Sequence, residues 1–227
     1  MRQILTREVG QPMKTNEEVW SIVNELKALY PDSLCSLEYE KDYELLFSVR
    51  LAAQCTDERV NKVTPALFAR FPTLASLAQA DVAEVEQYIH STGFFRAKAR
   101  DIVLASQMLL RDYGGKVPGT MEELLKLPGV GRKTANLILG DVFGQPAYVC
   151  DTHCIRITGR LGITDGSKDP LQVERQLRER IPPKESNNFC HRMVLFGRDT
   201  CTARSPKCDG CPLAKDCGTA KAAAKKK

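Results

Sequence analysis

The sequence lacks any apolar run that approaches the length of a membrane-spanning helix, so we expect no membrane segment. Glycine and proline, at 15 and 12 of 227 residues, are not in excess, which argues against a low-complexity chain. Residues 1–15 contain no apolar core and do not have the pattern of a secretion signal. The composition, with 43% hydrophobic and 27% charged residues, is typical of a soluble globular protein with one large or two small domains.

Charge is only moderately unbalanced. The net charge is +5, which permits nucleic-acid binding without establishing it. Four lysines fall in residues 220–227, and we interpret this segment as a disordered, solvated tail that adds nonspecific affinity for phosphates.

Apolar residues recur at helical spacing along most of the chain, and no stretch shows sustained strand alternation. Thr15 with Glu18, and Thr120 with Glu123, have the spacing of capping boxes at helix starts. We therefore predict an all-α fold. The predicted helices cover residues 16–30, 42–55, 57–68, 81–89, 98–113, 120–127, 132–140, 152–161, 170–180 and 186–197.

Cysteine is abundant, and nine cysteines without a secretion signal favour a reducing compartment in which thiols can bind metal. Four fall within seventeen residues at the spacing C-x6-C-x2-C-x5-C, namely Cys201, Cys208, Cys211 and Cys217. So short a loop cannot order itself by apolar burial, whereas four thiolates can hold zinc or an iron–sulfur cluster. The single C-x2-C with wide flanks favours a cluster over zinc. Disulfides are the least favoured of the three interpretations. The other five are expected to be small apolar residues of the core: Cys35, Cys55, Cys150, Cys154 and Cys190.

Residues 127–135, Leu-Pro-Gly-Val-Gly-Arg-Lys-Thr-Ala, lie between two predicted short helices. Two glycines let the backbone turn tightly and approach another molecule. We expect the amides of Gly129, Val130 and Gly131 to point outward at the start of the next helix, where N–H donors and the positive helix end bind anions. The spacing differs from the Walker pattern G-x4-G-K-[ST]. A plain helical connector needs only one glycine, so the segment favours a contact with another molecule.

This segment resembles the helix-hairpin-helix element of the endonuclease III family of DNA glycosylases. Residues 51–57, Leu-Ala-Ala-Gln-Cys-Thr-Asp, are similar to the family's L-S-A-Q-x-T-D segment. Residues 114–118 and 149–153 fit as well, and the family's cysteine spacing holds a [4Fe–4S] cluster. The resemblance spans about residues 16–217. It implies a cluster bound by the four cysteines of the C-terminal loop and a helix-hairpin-helix at about residues 120–142.

The resemblance also implies catalytic roles for Lys133 and Asp151. A neutral Lys133 amine would attack C1′ of a damaged nucleotide, expel the base and form a Schiff base, after which β-elimination breaks the strand 3′ to the lesion. A helix N-terminus, the adjacent Arg132 and partial desolvation would favour the neutral amine. Asp151, eighteen residues later, would stabilise positive charge on the sugar and assist proton transfer. Asp151 is also a candidate helix N-cap, and both roles can hold at once.

Extraction of a base from a duplex requires residues that fill the vacated space. Gln54 aligns with the family's inserted glutamine, and Thr92 and Phe94 lie in its wedge loop, where the family often has aliphatic residues. Phe94 next to Gly93 is less readily explained as a core aromatic than Phe95. The full set of expected DNA contacts is Gln54, Thr92, Phe94, Gly129, Val130, Gly131, Arg132, His153, Arg204 and Lys207.

Substrate class is indicated by Arg50, which stands where adenine-removing relatives carry an acidic residue. Together with Lys133, it favours the branch that removes oxidised pyrimidines and cleaves abasic sites in duplex DNA. A monofunctional glycosylase for mismatched or alkylated bases is the alternative, and a non-catalytic, redox-sensing DNA-binding module is a weaker one.

We expect two helical domains with the active site in the cleft between them. One covers residues 35–145 with six helices and the hairpin. The other combines residues 1–34 with 146–227 and holds the cluster. Lys133 and Asp151 would lie on opposite walls of the cleft. We further expect a monomer in the cytoplasm of a bacterial or archaeal cell, associated with the nucleoid, because no transit peptide is apparent.

Overall fold

The computed structural model describes residues 13–224, with side chains up to Lys221. Helices account for all the regular secondary structure of these residues, and no strand occurs among them, so the all-α prediction is confirmed. None of the helices is long and apolar enough to cross a membrane, as far as the described residues extend. The α-helices are α1 (Asn16–Leu29), α2 (Asp42–Leu51), α3 (Asp57–Arg70), α4 (Leu74–Ala78), α5 (Val82–Ile89), α6 (Phe95–Tyr113), α7 (Met121–Leu124), α8 (Arg132–Asp141), α9 (Thr152–Leu161), α10 (Pro170–Arg180), α11 (Ser186–Asp199) and α12 (Gly218–Ala224).

Side chains cap the helix starts that the sequence indicates. At α1 the Thr15 hydroxyl accepts a hydrogen bond from the Glu18 amide, and the Glu18 carboxylate accepts one from the Thr15 amide at 2.8 Å. At α7 the Thr120 hydroxyl accepts from the Glu123 amide. These bonds satisfy donors that the first helical turn leaves without a partner.

Several elements differ from the predictions, among them α6, which begins at Phe95 rather than at residue 98, and α7, which ends at Leu124 rather than at residue 127. Helix α2 ends at Leu51 rather than at residue 55, because the chain turns sharply at Gln54. The five-residue α4 has no predicted counterpart, since it is too short for periodicity to reveal. The basic tail is helical up to Ala224, so the prediction of disorder is wrong for residues 220–224; Thr219 and Ala220 are buried and anchor α12, and alanine favours helix. Residues 1–12 and 225–227, which include most of the N-terminal segment and three tail lysines, lie outside the described part.

The chain divides into two compact units. The hairpin unit is Cys35–Gln145, and the cysteine-loop unit combines the residues up to Leu34 with those from Pro146 onward. The hairpin unit contains α2 to α8, seven α-helices where the sequence predicted six, and α4 is the addition. Its core is built from apolar side chains of these helices, and α6 packs against both α4 and α5.

In the cysteine-loop unit, polar contacts tie the N-terminal helix to the C-terminal half of the chain. Arg192, 2% exposed, donates to the Tyr30 carbonyl and forms an ion pair with Glu185 at 3.2 Å. Lys27 of α1 pairs with the same carboxylate at 3.0 Å. The apolar face of α1 also packs against α11. The two segments of this unit are therefore separate in sequence and share one core.

Candidate active site and cysteine loop

The hairpin turn, residues 125–131, joins α7 to α8. Gly129 has φ of 75°, a conformation that side chains disfavour. A Cβ atom there would also lie 2.7 Å from Arg50 Nε and from Asp101 Oδ2. Arg50 and Asp101 form a largely buried ion pair, with a 2.8 Å hydrogen bond from Nε to Oδ2. Gly129 is therefore required both for its backbone conformation and because the turn lies directly over this ion pair.

The amides of this turn differ from the prediction at one position. The Val130 N–H donates to the Leu127 carbonyl at 3.1 Å and so is not directed outward. Gly131 is the N-cap of α8 and provides no capping side chain. Gly131 and Arg132 are exposed, and the positive end of α8 therefore lies at the surface, where an anion can approach it.

Lys133 lies in the first turn of α8, and its side chain is exposed. The expectation of partial desolvation is therefore wrong for the protein without DNA. Exposure gives the amine access to a molecule bound at the helix end, and any desolvation must come from that molecule.

Asp151 is the N-cap of α9, where its Oδ1 accepts a hydrogen bond from the Cys154 amide at 2.7 Å. The side chain is partly exposed. A carboxylate offers about four lone-pair sites, so this single bond leaves capacity for another partner. The capping role is thus observed, and it orients a carboxylate that can act on a ligand.

His153 follows Asp151 in the first turn of α9 and is partly buried. Its Nδ1 lies 3.1 Å from Arg156, and Arg156 also donates to the Cys201 carbonyl at 2.9 Å. A Cβ atom at Gly197 of α11 would collide with the His153 ring and approach Arg156 within 3.0 Å. His153 is therefore packed against α11, and any contact with DNA must use the remaining edge of the ring.

Gln54 and Phe94 share an unusual backbone geometry. Among residues 13–224 they are the only non-glycine residues with positive φ, at 55° and 49°. Such residues cost about 1–3 kcal/mol each and concentrate at functional sites. Both side chains are exposed, and Phe94, at 67%, is among the most exposed large apolar side chains of the described residues.

Thr92 does not fit the predicted set of DNA contacts. Its side chain is 2% exposed, and its hydroxyl donates to the Ile89 carbonyl at 2.8 Å. Burial excludes this hydroxyl from the surface, so the prediction is corrected to a structural role. Phe95 is partly buried, and its ring lies 4.4 Å from that of His90, which agrees with the expectation that Phe94 is the more available aromatic.

The cysteine loop, residues 200–217, begins at the end of α11. None of the nine cysteines forms a disulfide, and four of them line one cavity: Cys201, Cys208, Cys211 and Cys217. Arg160 of α9, only 3% exposed, donates to Cys201 Sγ at 3.3 Å and to the Thr202 and Ala203 carbonyls at 2.8 Å each. A buried guanidinium thus holds the start of the loop.

The chemistry of this loop fits an iron–sulfur cluster. Burial raises the pKa of the Cys208, Cys211 and Cys217 thiols, so thiolates at these positions need a compensating metal charge. A [4Fe–4S] cluster binds each of four cysteines through a different iron, and the four thiols that line this cavity supply that ligand set.

Several supporting residues escaped the sequence reasoning. Lys98 is fully buried, Arg160 holds the cysteine loop, and Asp101 pairs with Arg50. For Lys98 a signal exists, because it stands in phase with the buried stripe of α6 at Ile102 and Leu109. The predicted phosphate contacts Arg204 and Lys207 are exposed on the cysteine loop.

Sequence profiles of known families match both units. The profile of the HhH-GPD superfamily base excision DNA repair proteins matches residues 47–183, and that of the iron–sulfur binding domain of endonuclease III matches residues 201–217. The second match confirms the predicted [4Fe–4S] cluster as the cofactor.

Complete proteins match over most of their length. Endonuclease III of Synechocystis is 50% identical over 198 residues, which cover 87% of this chain and 90% of the relative. A solved non-covalent Endonuclease III–DNA complex is 42% identical and superimposes with a TM-score of 0.90, covering 94% of this chain and all of the other. A trapped Endonuclease III–DNA covalent intermediate is also 42% identical, with a TM-score of 0.89 over 93% of this chain and all of the other.

Proposed function

Because the chain belongs to the endonuclease III family, we propose that Lys133 and Asp151 carry out its chemistry. The chain is a DNA glycosylase with AP lyase activity that acts in base excision repair. The observation that carries the assignment is the exposed position of Lys133 in the first turn of α8, just beyond the glycines of the hairpin turn. A covalent intermediate, as trapped for a relative, requires a nucleophile that DNA can reach.

The Lys133 amine attacks C1′ of the damaged nucleotide, a C1′–N bond forms, and the bond to the base breaks with its electron pair leaving on the base. Opening of the sugar ring gives an iminium ion, which acidifies the C2′ protons. Loss of one such proton expels the 3′ phosphate by β-elimination, and water then releases the enzyme. Bound DNA can supply the desolvation that favours the neutral amine.

Asp151 provides the negative charge that these reaction steps need. Its carboxylate stabilises positive charge as it develops on the sugar and assists proton transfer. The hydrogen bond to the Cys154 amide orients the carboxylate without neutralising it. This assignment accounts for an aspartate at a position where a neutral cap such as serine would serve the helix equally well.

Cys201, Cys208, Cys211 and Cys217 would hold the cluster, since their thiols line one cavity. When bound, the cluster supplies a rigid centre for the cysteine loop. The loop then presents Arg204 and Lys207 to phosphates, a role supported by their exposure.

The remaining DNA contacts fall into two groups. Gly129, Gly131 and Arg132 lie at the uncapped end of α8, and phosphate binding there is supported by the helix dipole and the exposed backbone. Gln54 and Phe94 enter the duplex where the nucleotide has been extruded, which is supported by their exposure and strained backbone.

The proposed substrate class is oxidised pyrimidines in duplex DNA. Arg50 supports it, because an arginine in an ion pair with Asp101 cannot protonate a purine leaving group. We also propose that the protein is a monomer acting on nucleoid DNA in the bacterial cytoplasm, in keeping with its bacterial relatives.

The first test is borohydride trapping on a duplex that contains one thymine glycol. Wild-type protein should form a covalent complex, and Lys133→Ala should lose it because no other amine occupies that position. Lys126→Ala is the matched control, since Lys126 is an exposed lysine near the same turn, paired with Glu122, and its loss should leave trapping intact. Base release without trapping would favour the monofunctional alternative, and binding without either reaction would favour the non-catalytic module.

The second test is Asp151→Asn, which keeps a good N-cap and removes the charge. We expect turnover to fall about a hundredfold or more, while duplex affinity and thermal stability stay close to wild type. Asp169→Asn, at the N-cap of α10, is the control for the same exchange away from the site. If Asp151→Asn lost turnover and stability to the same extent, Asp151 would be only the N-cap of α9 and not a catalytic residue.

A further inference from the structure

The two strained turns of the hairpin unit are far apart in sequence and have a common support. Lys98 of α6 is 0% exposed, and its Nζ donates to the Leu51 carbonyl at 2.7 Å and to the Thr92 carbonyl at 2.9 Å. Leu51 ends α2 three residues before Gln54, and Thr92 ends a short 3-10 helix two residues before Phe94. One buried amine therefore binds the carbonyl of the last helical residue ahead of Gln54 and that of the last helical residue ahead of Phe94.

Burial of a lysine needs a reason, because the charged form loses its hydration. Burial lowers the pKa of Lys98, Cys55 opposes this effect, and Arg50 adds to it. Both hydrogen-bond partners are carbonyl groups at helix C-terminal ends, which favour a cation and a donor. The charged and neutral forms both have at least two N–H donors, so the bridge between the carbonyls survives either state.

A third contact joins the same helix to the second turn. The backbone N–H of Lys98 donates to the Phe94 carbonyl at 3.1 Å. This is the first intrahelical hydrogen bond of α6, which any residue other than proline at position 98 would make, so the contact specific to Lys98 is its side-chain bond to the Thr92 carbonyl just ahead of Phe94. Non-glycine residues remain at positive φ only where the surrounding structure dictates it. These contacts are of the kind needed to hold Phe94 there.

We propose that Lys98 is a positioning residue that holds the Gln54 and Phe94 turns as one unit, so that both side chains enter the duplex together when a nucleotide is extruded. The proposal rests on the proposed function, which assigns both residues to the duplex. Lys98 touches neither substrate nor cluster in this role. An apolar residue at this position would fill the space and leave two carbonyls without their donor.

Hydrogen exchange of the protein with its cluster tests the coupling directly. In Lys98→Met we expect the amides of residues 52–55 and 93–95 to exchange at least about tenfold faster, with the rest of the hairpin unit unchanged. Ser106→Ala is the matched control, because it removes a buried hydrogen bond to the Ile102 carbonyl within the same helix and should leave both turns protected. Unchanged protection in Lys98→Met, or uniform loss across the unit, would overturn the proposal.

The wild-type protein provides a test that does not depend on the variant folding. If Lys98 couples the turns, their amides should open with one common opening equilibrium that responds identically to low concentrations of denaturant. Two different responses would contradict the coupling even if Lys98→Met fails to fold.

Function is tested with 2-aminopurine opposite the lesion, whose fluorescence reports unstacking. We expect Lys98→Met to slow the fluorescence change and single-turnover base release about tenfold to a hundredfold on duplex DNA. Borohydride trapping on a single-stranded abasic oligonucleotide, which needs no insertion, should stay within about twofold of wild type. In the Gln54→Ala/Phe94→Ala background the Lys98→Met change should add little, since coupled residues are not additive.

The outcomes separate the two hypotheses. If wild-type protein traps neither DNA, the proposed lyase function fails, and the exchange data still decide the coupling of the turns. If wild-type protein traps both DNAs and Lys98→Met slows both equally, or is additive with the double variant, Lys98 is not a positioning residue for insertion and only this inference fails.

Discussion

The hairpin turn and the cysteine loop are both punctuated by glycine and proline, yet they are ordered in different ways. The hairpin turn is seven residues long and is anchored by Leu127, 2% exposed, and by Val130 packed on the core. The cysteine loop is more than twice as long, and among its residues only Leu213 and Cys217 are buried apolar ones. Its order depends on Arg160 and on the cluster.

The difference shows how length decides what a loop needs. A short turn costs little backbone entropy, and one glycine over an ion pair with two apolar anchors is sufficient. A longer loop with so little apolar surface needs metal ligation and a donor for each buried carbonyl. Substitutions in the two segments should therefore fail for different reasons and to different extents.

The largest expected effect is loss of the cluster. Cys208→Ser removes a soft thiolate ligand, so we expect loss of bound iron and disorder of the loop, with loss of DNA affinity before any specific loss of chemistry. Iron content and the visible absorbance of the cluster measure the loss of iron, and duplex binding measures the loss of DNA affinity. Cys35→Ser changes a partly buried cysteine of the hairpin unit and should retain full iron. Full iron content in Cys208→Ser would remove Cys208 from the ligand set.

A smaller effect is expected at the arginine that holds the loop. Arg160→Met keeps much of the buried volume and leaves the Thr202 and Ala203 carbonyls without their donor, which should cost about 2–4 kcal/mol of unfolding free energy. The cluster should also be lost faster on heating. Thermal unfolding with absorbance detection measures both. Arg175→Met, at an exposed position of α10, is the control, and equal losses in the two variants would contradict the role of Arg160.

The smallest of these effects concerns the hairpin turn. Gly129→Ala places a Cβ against Arg50 and Asp101 at positive φ, so we expect a loss of about 1–3 kcal/mol in urea unfolding and weaker duplex binding. Gly131→Ala is the matched control, with an extended backbone and nothing within 4 Å of the new Cβ, and it should lose less stability than Gly129→Ala, because only the poorer N-cap preference of alanine acts there. Equal stability of the two variants would show that the ion pair yields easily and that Gly129 is not constrained.

Residues close in sequence were the most predictable part of the fold. The capping box at Thr15 and the N-cap bond of Thr120 depend on a partner three residues away, and α6 ends at Tyr113, as predicted, before the αL glycine Gly114. The hairpin turn and the cysteine spacing were recognisable because their residue types are dictated by local backbone conformation and by ligand chemistry.

The errors fall where distant parts of the chain decide burial. Thr92, at the end of a 3-10 helix, and Lys98, in the first turn of α6, are polar residues of types that are mostly exposed, yet both are buried. Their burial follows from the packing of α6 onto α2 and of the 3-10 turn onto α3, α5 and α6. The tail was predicted to be disordered, but its first part is helical, because the buried residues Thr219 and Ala220 anchor α12.

The sequence by itself determined most of the helices, the turn glycines and the candidate cluster ligands, and its motifs resembled the family that the comparisons show. The helices, glycines and candidate ligands depend on periodicity, capping and short spacings, which act within a few residues. Only the tertiary structure decided that Arg50 pairs with Asp101 beneath Gly129 and that Lys98 binds the carbonyls of Leu51 and Thr92. The physical reason is that a buried polar group must find its partner wherever the packed core places one, and Leu51 and Asp101 lie 47 and 51 residues from their partners.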